Sequence, residues 1–358
     1  GDLVKVLITG GCGFIGEHFN RVLAQRGHNV VNLDLHEPTG AAAKHAFVRG
    51  DARDPDTLRA AMTHGGTTVD HVLHLAAAHH DFGIERETYI SVNQHGTATL
   101  CDVMDELGVR ESTFYSTVAI YGGVPEPIHE DSPTRPETPY GESKLEGERV
   151  YQQWVAKGEG RRCLVIRPTV TFGVNNFANM YSLIRQIAGK RYVQFGPGDN
   201  IKSLSYVENI IDATIYLWDH PNRSDFDAYN WIDKPDLTSA GIAEAIYKAL
   251  DREPRPVRLP YWLGMVGGLP FDAVIKLTGK NLPISTARIR KLFRTQTKYE
   301  ADKVAATGFT PSVTLPDGIA RMVEWYMSRG RFLEAEWRLP PAEVQTASHA
   351  PAAAHAAS

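Results

Sequence analysis

The sequence predicts an α/β protein: a doubly wound parallel sheet with a smaller, mostly helical C-terminal lobe. Three observations predict it. Through the first half, short apolar runs alternate with stretches of helical spacing. The first apolar run ends in a glycine-rich turn that opens a helix. Beyond Pro168 the alternation gives way to prolines, turns and scattered helical segments.

The elements follow in order. Val4–Thr9 is a short apolar run closed by glycines, as a parallel strand buried on both faces should be. Phe14–Gln25 places Phe14, Ile15, His18, Phe19, Val22 and Leu23 at helical spacing. Asn29–Leu35 is a second strand, His45–Val48 a weaker third, Pro55–Met62 a helix and Val69–Leu75 a fourth strand. Glu85–Leu107 predicts one long helix punctuated by Gly96 and stopped by Gly108. Ser112–Ser116 is a fifth strand, Tyr140–Ala156 an amphipathic helix and Cys163–Arg167 a sixth strand. Asn179–Ala188 and Val207–Trp218 are helical. The expected division is a sheet domain over 1–174, a lobe over 175–344 interleaved with the last sheet elements, and a disordered Ala/His/Ser/Pro tail over 345–358.

Composition narrows the class. In 358 residues, 42% are hydrophobic and 22% charged, ordinary for a globular enzyme. The net charge of −4 and the lack of a Lys/Arg-rich run argue against a nucleic-acid partner. Cys12, Cys101 and Cys163 are widely spaced and form no CxxC pair, so neither a disulfide framework nor a metal site is expected. With no export signal ahead of Val4, a cytoplasmic setting is expected. The most apolar stretch, Leu259–Leu277, is interrupted by Pro270, Asp272, Lys276 and glycines. No membrane span is expected from it. It is read as a helix packed in the lobe, with a membrane-surface patch as the alternative.

Residues 9–16, Thr-Gly-Gly-Cys-Gly-Phe-Ile-Gly, lie between the first strand and first helix. Missing side chains at Gly10, Gly13 and Gly16 permit a tight turn and close approach of a pyrophosphate to the helix N-terminus. Asp34 follows eighteen residues after Gly16, at the end of the second strand, where a carboxylate meets ribose hydroxyls. It repels a 2′-phosphate, so a Rossmann-type site for NAD is expected. Asp51 is open to two readings, an adenine contact or a cap or turn aspartate.

Tyr140 and Lys144 are four apart and share a helix face. An ammonium near a phenol lowers its pKa toward the range of a general base. Thr117, after Ser116, ends the fifth strand at the same sheet edge and offers a hydroxyl to a reacting oxygen.

Together these residues resemble the extended short-chain dehydrogenase/reductase family, in its nucleotide-sugar epimerase/dehydratase branch. The resemblance covers about residues 4–330 and is carried by TGGCGFIG (9–16), NLDL (32–35), GDARD (50–54), HLAAA (74–78), VNQHGT (92–97), YSTVAIYG (115–122), YGESK (140–144), IRPTVTFG (166–173) and SYVENIIDA (205–213). It implies Tyr140 as acid/base, Lys144 as its electrostatic partner on the nicotinamide ribose, and Thr117 on the reacting oxygen. It further implies a cofactor lining of Phe14, Ile15, Ala52, His74, Leu75, Ala76, Ala77 and Pro168. Asn93 is expected to tie backbone elements near the site or to bond locally within its helix. The resemblance also implies a homodimer through helices 85–107 and 140–156.

Within the branch, dehydratases carry Asp-Glu after the threonine; here Val118 and Ala119 follow Thr117. An apolar pair cannot move those protons, which leaves hydride chemistry. A nucleotide-sugar 4-epimerase is therefore expected, with a 4-keto-sugar reductase and a 3β-hydroxysteroid-type dehydrogenase as alternatives. Ser116, Val170, Lys202 and Arg288 are the expected substrate contacts. Val170 stands where galactose-type epimerases carry Asn, and Lys202 where they carry Arg. Arg288, with Arg290 and Lys291, could bind a diphosphate or form a solvated basic helix face.

Overall fold

The computed structural model describes residues 2–77, 84–280 and 282–333. The predicted tail, with Ala78 of the HLAAA segment, lies outside the described residues.

Seven parallel strands form the main sheet: β1 (Lys5–Thr9), β2 (Asn29–Asp34), β3 (Ala46–Arg49), β4 (His71–His74), β5 (Glu111–Tyr115), β6 (Arg162–Pro168) and β11 (Phe226–Trp231). Their order is β11-β6-β5-β4-β1-β2-β3. Between β6 and β11 run β7 (Val170–Phe172), β8 (Val193–Phe195), β9 (Ile201–Lys202) and β10 (Leu204–Tyr206); β12 (Leu237–Thr238) and β13 (Val257–Leu259) follow. These six form three two-stranded sheets, β10-β7, β12-β9 and β13-β8. The helices are α1 (Phe14–Gln25), α2 (Pro55–Met62), α3 (Arg86–Tyr89), α4 (Gly96–Leu107), α5 (Pro139–Ala156), α6 (Asn179–Ala188), α7 (Val207–Trp218), α8 (Ser239–Ala249), α9 (Tyr261–Thr278), α10 (Thr286–Phe293), α11 (Asp302–Ala306) and α12 (Leu315–Ser328).

Strand pleat sorts the core into two layers. Val6 and Ile8 of β1 pack with Phe19 and Leu23 of α1 and Ile210 and Leu217 of α7. Leu7, pointing the other way, packs with Leu58 and Met62 of α2, Leu100 and Met104 of α4 and Tyr151 and Trp154 of α5. Helices on both faces are what right-handed crossovers between parallel strands require.

The predicted elements are present with ends shifted by a residue or two, with two differences. The single helix expected over 85–107 runs without a gap over 86–107 but widens to a π-helical stretch, Ile90–His95, between α3 and α4. The widened turn meets α5 at a tight crossing, where a Cβ on Gly147 would stand 2.9 Å from the Asn93 carbonyl. The second difference is in the lobe. Residues 261–278 do form a helix, but only Gly264 and Gly268 of it are buried. Tyr261 and Met265 pack against the core, but Trp262, Val266, Leu269 and Leu277 lie outside, which corrects the expectation of a packed helix.

Candidate active site

The sheet order reverses between β1 and β4: the chain moves from β1 to β2 on one side and returns to β4 on the other. A crevice opens at such a switch point, beyond the carboxyl ends of the strands. Here a cleft is lined by Gly10, Gly13, Phe14, Ile15, Gly16, Asp34, Asp51, Ala52, Leu75, Ala76, Ala77, Ser116, Thr117, Tyr140, Lys144 and Pro168. Of the residues expected at the cofactor and at the chemistry, all but His74 thus face one space.

The glycine loop shows why each glycine is there. Gly10 has φ +72°, and a Cβ on it would stand 2.8 Å from the Ala76 amide nitrogen, so β1 and β4 could not close. A Cβ on Gly16 would meet the Gly11 carbonyl oxygen at 2.5 Å. Gly13 differs: its Cβ would meet only the Gly10 carbonyl oxygen, at 3.4 Å. Packing alone does not demand glycine there, but a ligand lying against the backbone does. No side chain caps α1. Its positive end is thus left to an anion. These features fit a dinucleotide diphosphate.

Asp34 stands at the cleft with Oδ2 accepting the Cys12 amide at 2.9 Å and Oδ1 accepting the His36 amide at 2.9 Å. Asp51 combines position at the cleft with a turn role. It accepts the Arg53 amide at 2.9 Å and pairs with its guanidinium at 2.7 Å. The cap of α2 is Asp54, whose side chain accepts the Asp56 amide.

Tyr140 and Lys144 begin α5. Thr138 caps it by accepting the Gly141 amide at 3.0 Å, and Pro139 occupies the first turn. A Cβ on Gly141 would stand 2.7 Å from the Ala119 carbonyl oxygen. That closeness brings the start of α5 against the turn that follows Thr117. Lys144 is 3% exposed, and its Nζ donates to the Tyr115 carbonyl oxygen at 2.7 Å. Burial lowers its pKa to about 7, with Glu148 pulling the other way. Thr117 Oγ1 accepts the Ala119 amide at 3.1 Å, which leaves its O–H to donate elsewhere.

Beneath these groups lies a polar network of residues distant in sequence. Ser116 Oγ donates to Glu148 at 2.5 Å, so its proton is committed. Arg167 donates to Glu148 at 2.6 Å and to the Tyr121 hydroxyl at 2.9 Å, which donates to Asn230 at 2.7 Å. Asn93 Nδ2 donates to Ser143 Oγ at 2.9 Å, and Ser143 Oγ to the Tyr140 carbonyl at 2.8 Å. Asn93 thus ties the π-helical stretch to α5.

Several expected contacts fall elsewhere. His74 does not line the cleft. It is buried, with Thr9 Oγ1 at 2.6 Å and Thr97 Oγ1 at 3.1 Å, because its strand position points into the layer between β4 and α4. Val170 is 41% exposed on β7 and is absent from the cleft lining. Its neighbours Thr169 and Thr171 face the cleft instead, since alternate residues of a strand point to opposite sides. Asn176, which sequence reasoning missed, also lines it. Lys202 and Arg288 lie outside this lining. Lys202 is buried on β9, and burial together with the Lys291 charge lowers its pKa to about 8.

Comparisons with known proteins bear on family and fold. The model of the NAD-dependent epimerase/dehydratase family matches residues 6–231. An N-acetyl-α-D-glucosaminyl-diphospho-ditrans,octacis-undecaprenol 4-epimerase of Escherichia coli O157:H7 is 35% identical over 326 residues, 90% of this chain and 95% of that protein. A UDP-glucose 4-epimerase of Vibrio cholerae is 28% identical over 286 residues, 77% of this chain and 85% of that one. In fold, the chain is similar to the UDP-glucuronic acid 4-epimerase of Bacillus cereus in complex with NAD, with a TM-score of 0.71, 20% identity, and coverage of 90% of this chain and 99% of that one. The chain belongs to the NAD-dependent epimerase/dehydratase family and is an enzyme of the extended short-chain dehydrogenase/reductase type.

Proposed function

We propose that this enzyme is a 4-epimerase of a diphosphate-linked sugar, with Tyr140 as its acid/base. The observation that carries the reading is the convergence of Tyr140, Lys144 and Thr117 on the glycine-loop cleft, with the apolar Val118 and Ala119 next to Thr117. NAD in this cleft supplies a hydride acceptor and donor at the sugar's C4. Gly10, Gly13, Gly16 and the N-terminus of α1 hold its diphosphate, and Asp34 its adenosine ribose.

The chain's own residues then do four things. Thr117 donates a hydrogen bond to the C4 oxygen, its O–H being left available because the Ala119 amide engages only a lone pair of the hydroxyl. Tyr140 takes the hydroxyl proton as the ketone forms and returns it when the alcohol is rebuilt on the other face. Lys144 stabilises the phenolate and holds the nicotinamide ribose. The Glu148–Arg167 pair engages Ser116 and so fixes the strand end that carries Thr117. The apolar Val118 and Ala119 beside Thr117 offer no acid–base pair for removing water from the sugar.

Both a nucleotide and a polyprenol can carry such a sugar. The nucleotide carrier is supported by the UDP-glucose 4-epimerases among the relatives. The polyprenol carrier is supported by the Escherichia coli relative, named for a diphospho-undecaprenol sugar and aligned over nine tenths of this chain.

The test is to incubate the purified enzyme with UDP-glucose, UDP-N-acetylglucosamine and a polyprenyl-diphosphate N-acetylglucosamine. Products are resolved chromatographically while NADH absorbance is followed. A new 4-isomer without net NADH is expected. Stoichiometric NADH without an isomer, or turnover of apolar alcohols only, would move the enzyme to the dehydrogenase alternative.

A further inference from the structure

Helix α9 is apolar on nearly all sides, yet only its glycine edge is packed. Gly264 sits flush on Phe195, where a Cβ would meet the ring at 2.7 Å, and Gly268 on Thr286, where it would meet the amide nitrogen at 2.9 Å. Asp272 accepts the Thr286 amide at 3.0 Å and locks α9 to α10. Opposite that edge, Trp262, Val266, Leu269 and Leu277 form one stripe at helical spacing, 62%, 57%, 58% and 86% exposed. Leu263, Phe271 and Val274 widen it, with Leu259 on the preceding strand. A helix apolar all round belongs in a core or against lipid; this one is in no core.

The charge around it is the second observation. Residues 255–298 hold nine Lys and Arg against one acidic residue, Asp272, a net of +8 in a chain whose total is −4. Arg255 and Arg258 precede the helix, Lys276 and Lys280 end it, and Arg290, Lys291 and Arg294 stand exposed on and after α10. An exposed apolar stripe framed by basic residues is the composition of a helix lying in a lipid–water interface. A self-associating apolar face has no need of that excess of one sign. Among the described residues no helix is long and apolar enough to cross a membrane.

We propose that α9 and α10 dock this enzyme on an anionic lipid bilayer, with the Trp262 stripe entering the headgroup region and the flanking Lys and Arg side chains meeting lipid phosphates. The docking stands on the lobe alone and goes beyond the sugar reaction, whichever carrier bears the sugar.

The test is sedimentation of the full-length protein with vesicles of phosphatidylcholine alone or mixed with phosphatidylglycerol. Wild type is expected to pellet with the phosphatidylglycerol vesicles and to be released as salt is raised. The triple variant Trp262→Glu, Val266→Glu, Leu269→Glu is expected to bind more than about tenfold more weakly. Its thermal midpoint and its turnover of a soluble UDP-sugar should be unchanged, since all three side chains already face water. Lys276→Glu with Lys280→Glu should weaken binding to the anionic vesicles while leaving the fold intact. Three results would overturn the proposal. Wild type could stay in the supernatant with both vesicle types. The triple variant could pellet as wild type does. Light scattering could show a dimer that the triple variant splits, assigning the face to a second copy of the chain. Loss of soluble-sugar turnover in wild type would count against the proposed reaction and not against docking.

Discussion

Strand β1 and helix α9 contain the same kinds of residue and put them to opposite use. Val6, Leu7 and Ile8 are wholly buried between two layers of helices, whereas Trp262, Val266, Leu269 and Leu277 stand largely in solvent. Both runs are apolar without a polar stripe. What separates them is whether the rest of the chain supplies a second layer. β1 lies mid-sheet with neighbours on both edges and helices on both faces. Among the described residues, α9 is covered along one edge, where two glycines let α10 and Phe195 approach and Tyr261 and Met265 meet the core. An apolar pattern therefore states what a segment would gain by burial, and leaves open what buries it.

The sharpest way to test this contrast is through activity. Tyr140→Phe removes the proposed proton carrier from the cleft and is expected to lower kcat roughly a thousandfold. NAD binding, measured by cofactor fluorescence, should persist. The α9 triple variant should leave soluble-sugar turnover where it was. A loss in the lobe variant equal to that of Tyr140→Phe would erase the functional division between the regions.

Stability gives the next contrast. Leu7→Ala opens a cavity in the packed layer and should cost about 3 kcal/mol. Leu277→Ala, 86% exposed, should change stability by less than about 0.5 kcal/mol. Denaturant midpoints at constant m-value measure both. A comparable loss at Leu277 would mean that α9 is covered in solution without lipid, by another copy or by the rest of the chain.

The smallest effect is one of pH and belongs to the sheet region alone. Burial lowers the Lys144 pKa from 10.5 to about 7. Between those values the unfolded chain holds a proton that the folded chain has released. Stability of the cofactor-free protein should therefore rise as pH increases through this window. Lys144→Met should flatten that slope, read as thermal midpoint against pH, whereas Lys276→Met on exposed α9 should leave it intact. A slope unchanged in Lys144→Met would show that the lysine is solvated in the cofactor-free state.

Much of the candidate site was legible because its signals are short-range. The glycine loop, Asp34 at a strand end and the Tyr140–Lys144 spacing each depend on a few consecutive residues whose strand or helix type follows from local pattern. Val170 failed because one residue of register in β7 decides which side chains meet the cleft; Thr169 and Thr171 face it instead. His74 failed for the same reason. Asn176 carried no signal beyond its type, and the Ser116–Glu148–Arg167–Tyr121–Asn230 network joins residues from four separate segments.

By itself, then, the sequence determined the strand–helix alternation, the dinucleotide loop and the helix that presents Tyr140 and Lys144, because turn chemistry and periodicity act between near neighbours. Tertiary structure alone decided which of two strand faces meets the cleft, how the buried polar groups pair, and that the described residues leave one face of α9 uncovered. Those outcomes depend on which distant segments supply partners, and no local pattern of side chains specifies them.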